Sequence, residues 1–319
     1  MRRSFRLTTL SAIAAGFAVF VLAPSALAFG TINWLGQHAE HEHITRWGLA
    51  SAGLGPATLD ELAGKAGAFG AVGAPDRPDR GLLGVKAAHC DGGDHLDRPG
   101  YPQSAADAEA RLQDCRAWIF ANLDRAVTDA GGLARSDPAS AGAGCAFDGK
   151  RRGSAKCLVI EDLGLALHAT QDFYAHTNWV DRPAPGPITV ENPPGLNHQG
   201  PAPWLDATAN AAFPPGLISG CYDGFPESRY CGAGGPNPRV QHQNLNKDDG
   251  VIDEQAGVIH EGETRRGRVE GNFQRAVAAA VADTKSKWAF FELRLRQTYG
   301  PARAAEILCL IRSDRPAGC

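Results

Sequence analysis

The run "LGLALHATQDFYAHTNWV", residues 163 to 180, constrains this chain more than any other stretch. It reads as a buried helix, yet it carries His168, Asp172 and His176 at four-residue intervals. Successive i, i+4 positions on an α-helix rotate by only about 40°, so all three side chains project from one face. Burying an aspartate between two imidazoles is costly unless a cation sits beside it. Neutral imidazole with carboxylate is a donor set suited to zinc, each ring usually being oriented by a carboxylate or a backbone group. A buried hydrogen-bond network is the bland alternative, and a single helical histidine would be read that way. Three aligned groups favour a metal.

The N-terminus sets the compartment. "MRRSFRLTTLSAIAAGFAVFVLAPSALA" places Arg2, Arg3 and Arg6 before an apolar stretch from Leu7 to Ala23 and closes on Ala26-Leu27-Ala28. Residues 1–28 are expected to be an export signal, with the mature chain beginning at Phe29 and secreted. A retained membrane anchor is the competing reading, and the apolar run is short for it. "RRSF" is also compatible with twin-arginine export of a folded, metal-loaded protein. Eight cysteines fit an oxidising compartment, and no C-x-x-C pair occurs to suggest a thiolate zinc cluster. Neighbour pairing gives Cys90–Cys115, Cys145–Cys157, Cys221–Cys231 and Cys309–Cys319, one choice among many connectivities. A formal net charge of −3 argues against an electrostatic nucleic-acid binder.

Helical periodicity with few breakers predicts helices over 39–52, 104–130, 156–177, 265–297 and 301–312, and strand-like alternation is nearly absent. Twelve of the 21 prolines fall between Pro183 and Pro238. That segment reads as an extended, stapled loop, either a functional rim or lid or an ornamental insertion. The expectation is an all-α architecture, one helical domain over 29–319 with a long Pro/Gly-rich, disulfide-stapled loop.

"LHATQDFYAHTNW" resembles the signature of the zinc-dependent phospholipase C and single-strand nuclease superfamily. It is closer to the HET-C-like branch, whose members carry a similar H-x-x-x-D-F-x-x-H-x-N-[WY] run. Across the chain after residue 28, bacterial CinY-type proteins are also similar. The resemblance implies a helical phospholipase C/nuclease-like fold holding two to three zinc ions. His41, in "HEHI", takes the place of the family's early helical histidine; His43 lies roughly 200° around the helix and cannot face the same site. A free α-amino group and first carbonyl, here those of Phe29, would complete that site, although the family's usual first residue is tryptophan. Asp76 and His89 in "APDRPDRGLLGVKAAHCDGGD" match an aspartate a dozen or so residues before a histidine, with Asp79 and His95 as alternatives.

On this resemblance one zinc is held by Asp76, His89, His168 and Asp172, another by Phe29, His41 and Asp172, so that Asp172 bridges. Asp76 would orient or deprotonate the attacking water. His176 lies four residues past Asp172 where the phospholipases and nucleases have six, and no downstream H-x-x-x-[DE] exists. His242 and Asp248 in "VQHQNLNKDDG", or His260 with Glu261 or Glu263, are the substitutes that would join His176 in a third site. The resemblance implies phosphodiester hydrolysis. Phospholipid is the expected substrate, with transient contact to a membrane surface, because no basic groove for polynucleotide is evident. A single-strand nuclease and a non-catalytic, metal-stabilised interaction module remain the alternatives.

Overall fold

The computed structural model describes residues 29–34, 36–224, 227–232 and 237–319, with the side chains of residues 228 and 230 left aside. The expected export signal, residues 1–28, lies outside the described residues.

The architecture is built around the ladder helix. In chain order the elements are α1 (Glu40–Gly48), α2 (Pro56–Ala63), β1 (Gly64–Lys65), β2 (Ala68–Phe69), α3 (Lys86–His89), α4 (Ala105–Ala130) and α5 (Ala155–His176). They are followed by α6 (Glu227–Tyr230), α7 (His242–Leu245), β3 (Gly250–Asp253), β4 (Val258–Gly262) and α8 (Asn272–Arg312). The two long helices start where their sequences supply a cap. The Ser104 hydroxyl accepts from Asp107 N at the head of α4, and the Ser154 hydroxyl accepts from Cys157 N at the head of α5. Helix α5 is buried along nearly its whole length because α4, α8 and α1 pack around it. Phe173, Leu163, Leu167, Ile119, Leu123 and Phe291 form the centre of the core.

The all-α expectation is corrected. β1 and β2 form one antiparallel hairpin and β3 and β4 another, so the chain is helix-rich with two small sheets. These strands are too short to show sustained alternation, and local pairing forms them. Helix positions also shift. α1 stops at Gly48, α2 begins at Pro56 where no helix is expected, and residues 265–271 are not part of the last helix. The expected pair 265–297 and 301–312 is instead α8, interrupted at Gly300 (φ 75°, ψ 162°), ahead of Pro301.

The proline-rich segment folds back over the C-terminal end of α5. Asn178 N donates to Ile218 O, Leu196 N to Asn178 O and His198 N to Trp179 O. A second apolar cluster of Leu96, Val190, Ile218, Val240 and Leu245 braces it. The four disulfides join Cys90 to Cys115, Cys145 to Cys157, Cys221 to Cys231 and Cys309 to Cys319, which fits an oxidising environment. Among the described residues no helix is long and apolar enough to cross a membrane.

Candidate metal centre

Three groups of buried side chains meet along the ladder face of α5. His41, His168 and Asp172 form one; Asp76, His89 and His168 form a second; Asp91, His176 and His242 form a third. Each can hold a metal ion. In the first two, Asp172 divides its oxygens. Its Oδ1 lies 3.1 Å from His41 Nε2, and its Oδ2 lies 3.0 Å from His168 Nε2 and 3.1 Å from His89 Nδ1. Asp76 Oδ1 stands 3.8 Å from both His89 Nδ1 and His168 Nε2. In the third group Asp248 Oδ1 is 3.2 Å from His176 Nε2, and its Oδ2 is 3.8 Å from His242 Nε2.

The local backbone sets these positions. A single 3₁₀ turn, Ala74–Asp76, with Pro75 in its first positions, delivers Asp76. Two glycines permit the close approaches. A Cβ on Gly164 would stand 2.4 Å from Ala71 C, so only glycine lets residues 71 and 72 lie against α5, where Val72 O meets His168. A Cβ on Gly220 would stand 2.3 Å from His242 Cα, so Gly220 lets the segment at disulfide-bonded Cys221 hold His242 against the site.

Each ring has an oxygen on its far side. His41 Nδ1 meets Gln171 Oε1 at 2.6 Å, His168 Nδ1 meets Val72 O at 2.9 Å, and His89 Nε2 meets Leu82 O at 3.2 Å. His176 Nδ1 meets His89 O at 2.8 Å, and His242 Nδ1 meets Glu227 Oε1 at 3.3 Å. Oxygens without a proton can only accept, so the outer nitrogens carry the N–H and the inner ones present lone pairs. His89 Nδ1 and His168 Nε2 are thus two lone pairs 3.0 Å apart, both beside a carboxylate oxygen. Without a cation or extra protons that arrangement is repulsive.

Hydrogen-bond accounting gives the same answer. His41 Nε2, His176 Nε2, both oxygens of Asp76, both of Asp248, and the Oδ1 atoms of Asp91 and Asp172 are buried with no hydrogen bond. Buried polar atoms are rarely left so. In the ion-free protein protons are drawn in instead. Burial pulls the His176 pKa down, but Asp91, Asp172 and Asp248 outweigh it, and the balance lies well above the usual imidazole value. His41, His89 and His242 are raised too, against the same desolvation, by nearby carboxylates. His168 is lowered by burial, with the neighbouring His41 charge adding to it. Burial opposes ionisation of Asp172, yet the charges of His168, His176 and His41 hold its carboxyl well below the usual range.

The structure therefore brings together Asp76, His89, His168, Asp172, His41, His176, His242 and Asp248. Phe29 is fully buried, with its ring edge-on to His41 at a centroid distance of 5.9 Å. The alternatives lie elsewhere. Asp79 pairs with Arg77, and His95 Nδ1 bonds Gln103 O. His43 pairs with Glu254, Glu263 pairs with His38, and His260 and Glu261 are exposed on β4. Every cysteine is oxidised, which removes the thiolate-cluster alternative. Sequence reasoning missed Asp91 and the orienting groups Gln171 and Glu227. The available signal was the acidic residue two positions after His89 in "HCDGGD". Comparison with protein-family models, with curated proteins and with solved structures finds no match to this chain.

Proposed function

We propose that the protein is a secreted, zinc-dependent phosphodiester hydrolase acting on phospholipid. One observation carries the reading: the two oxygens of a single buried aspartate, Asp172, face two different sets of imidazole lone pairs. A carboxylate in that position suits two closely spaced cations. The donors are imidazole and carboxylate only, which suits zinc. Charge balance supports more than one ion. With the imidazoles neutral, Asp76, Asp91, Asp172, Asp248 and Glu227 are five buried negative charges; two divalent cations leave one of them unbalanced, and a third would make the site net positive and attractive to a phosphate diester.

Cations held there would lower the pKa of water to about 7 and would stabilise the attacking and leaving oxygens of displacement at phosphorus. His41 and Asp172 would hold one ion, joined by the α-amino group and carbonyl of Phe29 in a chain that begins there. Asp76, His89, His168 and Asp172 would hold another, and Asp91, His176, His242 and Asp248 a third. Asp76, whose two oxygens have no hydrogen-bond partner, is the group to orient the attacking water and accept its proton. Val72 O, Leu82 O and Gln171 Oε1 keep the three imidazoles of the first two groups turned inward.

Near-complete burial of every candidate ligand favours a second reading, a metal-stabilised interaction module without turnover. One experiment separates the two. Purified, zinc-loaded protein is assayed for phosphorylcholine release from phosphatidylcholine vesicles and for nucleotide release from single-stranded DNA, with and without chelator. Chelator-sensitive headgroup release supports the hydrolase, nucleotide release would redirect it to a nuclease, and bound zinc with neither release favours the module.

A further inference from the structure

Tyr222 packs against the third group through its ring. It follows Cys221, whose backbone is fixed by the disulfide to Cys231 and by two main-chain bonds. Cys221 N donates to Val240 O at 2.8 Å, and His242 N donates to Cys221 O at 2.9 Å. Its neighbour Asp223 pairs with Lys86, on the same short helix α3 as His89. The Tyr222 ring meets the edge of His242 at a centroid distance of 5.7 Å. The side chain is half-buried. Its hydroxyl makes no hydrogen bond to any described residue, whereas phenols in contact with a protein interior usually find a partner. Burial first, and then the charges of Asp91 and Glu227 from the third group and Asp76 from the second, push the phenol above its ordinary value, as its place beside His242 would lead one to expect.

A phenol offers one O–H donor, and its ordinary pKa near 10 keeps the proton in place at neutral pH. What fits between such a donor and a positive centre is an oxygen with negative charge. We propose that Tyr222 binds the substrate directly, its hydroxyl donating to a non-bridging phosphoryl oxygen of the diester held over the cluster. This deepens the hydrolase reading and rests on it. The recognised chemistry is the phosphoryl group, common to phospholipid and nucleotide, so Tyr222 contributes affinity for phosphate and not choice of headgroup.

The test uses the full zinc-loaded chain and Tyr222→Phe, which removes a single oxygen. Zinc content and melting temperature should be unchanged. Inorganic phosphate, titrated calorimetrically, should bind the variant about tenfold to a hundredfold more weakly, the range for a hydrogen bond to a charged group. For bis-p-nitrophenyl phosphate, KM should rise by a similar factor with kcat little altered, since the bond is made in the ground state as well as the transition state. Equal phosphate affinity in the two proteins overturns the proposal, as does loss of zinc from Tyr222→Phe, which would make the hydroxyl structural. Failure of wild type to bind phosphate overturns it too. If wild type binds phosphate through Tyr222 but cleaves no diester, hydrolysis fails while the contact stands.

Discussion

Replacing Asp172 by asparagine separates a metal centre from a buried hydrogen-bond network. The change keeps shape and volume but removes the one charge shared by the His41 and His168–His89 groups, and it turns two amide protons toward the site. A cation present at a hundredfold excess over its dissociation constant stabilises the fold by about 2.7 kcal/mol. On the proposed reading Asp172 serves two such positions, so Asp172→Asn should forfeit about 5 kcal/mol of linkage. At roughly 2–4 °C per kcal/mol for domains of this general size, that is a fall of about 10–20 °C in Tm. The control is the same pair of proteins in excess chelator. There only the attraction between Asp172 and the imidazoles around it, chiefly the protonated His176 and His41, is lost, and the gap should shrink to a few degrees. Differential scanning calorimetry with and without chelator, alongside elemental analysis, reads both. An equal gap in both conditions would mean that the His–Asp–His ladder holds itself together without metal, and the reasoning would be refuted.

Asp91→Asn should cost one equivalent of bound zinc and leave the other two, because Asp91 touches only the His176–His242 group; elemental analysis of the purified variant checks it. The stability difference between zinc-loaded and chelated protein should widen from pH 6 to pH 8. In the ion-free protein the raised pKa values of His41, His89, His176 and His242 contribute stability that is full below the unfolded value of about 6.5 and lost as pH rises through the folded values, whereas zinc binds the deprotonated rings more tightly as pH rises. Thermal melts at three pH values give the sign, and a gap that narrows toward pH 8 would contradict it. A chain beginning at Phe29 should hold one more zinc than a chain with residues left before it, since an amide nitrogen is a far poorer ligand than a free amine; native mass spectrometry of the two forms decides.

What was legible in the sequence had a period or a cap behind it. The expected limits of α4 and α5 fall within a residue of those observed because each follows a serine whose hydroxyl caps it and each carries apolar periodicity. The two hairpins were not legible as strands. Pairs as short as Gly64–Lys65 with Ala68–Phe69 have no room for alternation, and only their partner fixes them. Asp91 was hidden for a different reason. Cys90, which links it to His89, sits in the left-handed region (φ 56°) and is tied by disulfide to Cys115 on α4. That turn sends His89 to one group and Asp91 to another, while His89 O remains free to accept from His176 Nδ1. No spacing rule in the sequence encodes such a reversal.

The ladder itself acquires a more specific meaning from this geometry. Each four-residue step turns by about 40° and climbs about 6 Å along the helix. His168 and His176, two steps apart, therefore cannot serve the same ion, and they do not: His168 meets His89 and Asp172, whereas His176 meets Asp91, Asp248 and the His242 ring. Asp172 lies on the step between them, turned toward His41 and His168. Helix α5 thus forms one wall common to all three groups, and its face explains why the four-residue repeat continues past a single binding pair. The remaining candidate ligands come from segments that only the tertiary fold supplies: His41 from α1, Asp76 from a proline-containing turn, His89 and Asp91 from either side of a left-handed cysteine, and His242 with Asp248 from the segment packed against Gly220. In sequence these residues are polar side chains scattered between breakers. They come together because α5 offers a continuous buried face with imidazole nitrogens and carboxylates at a spacing that can hold metal ions.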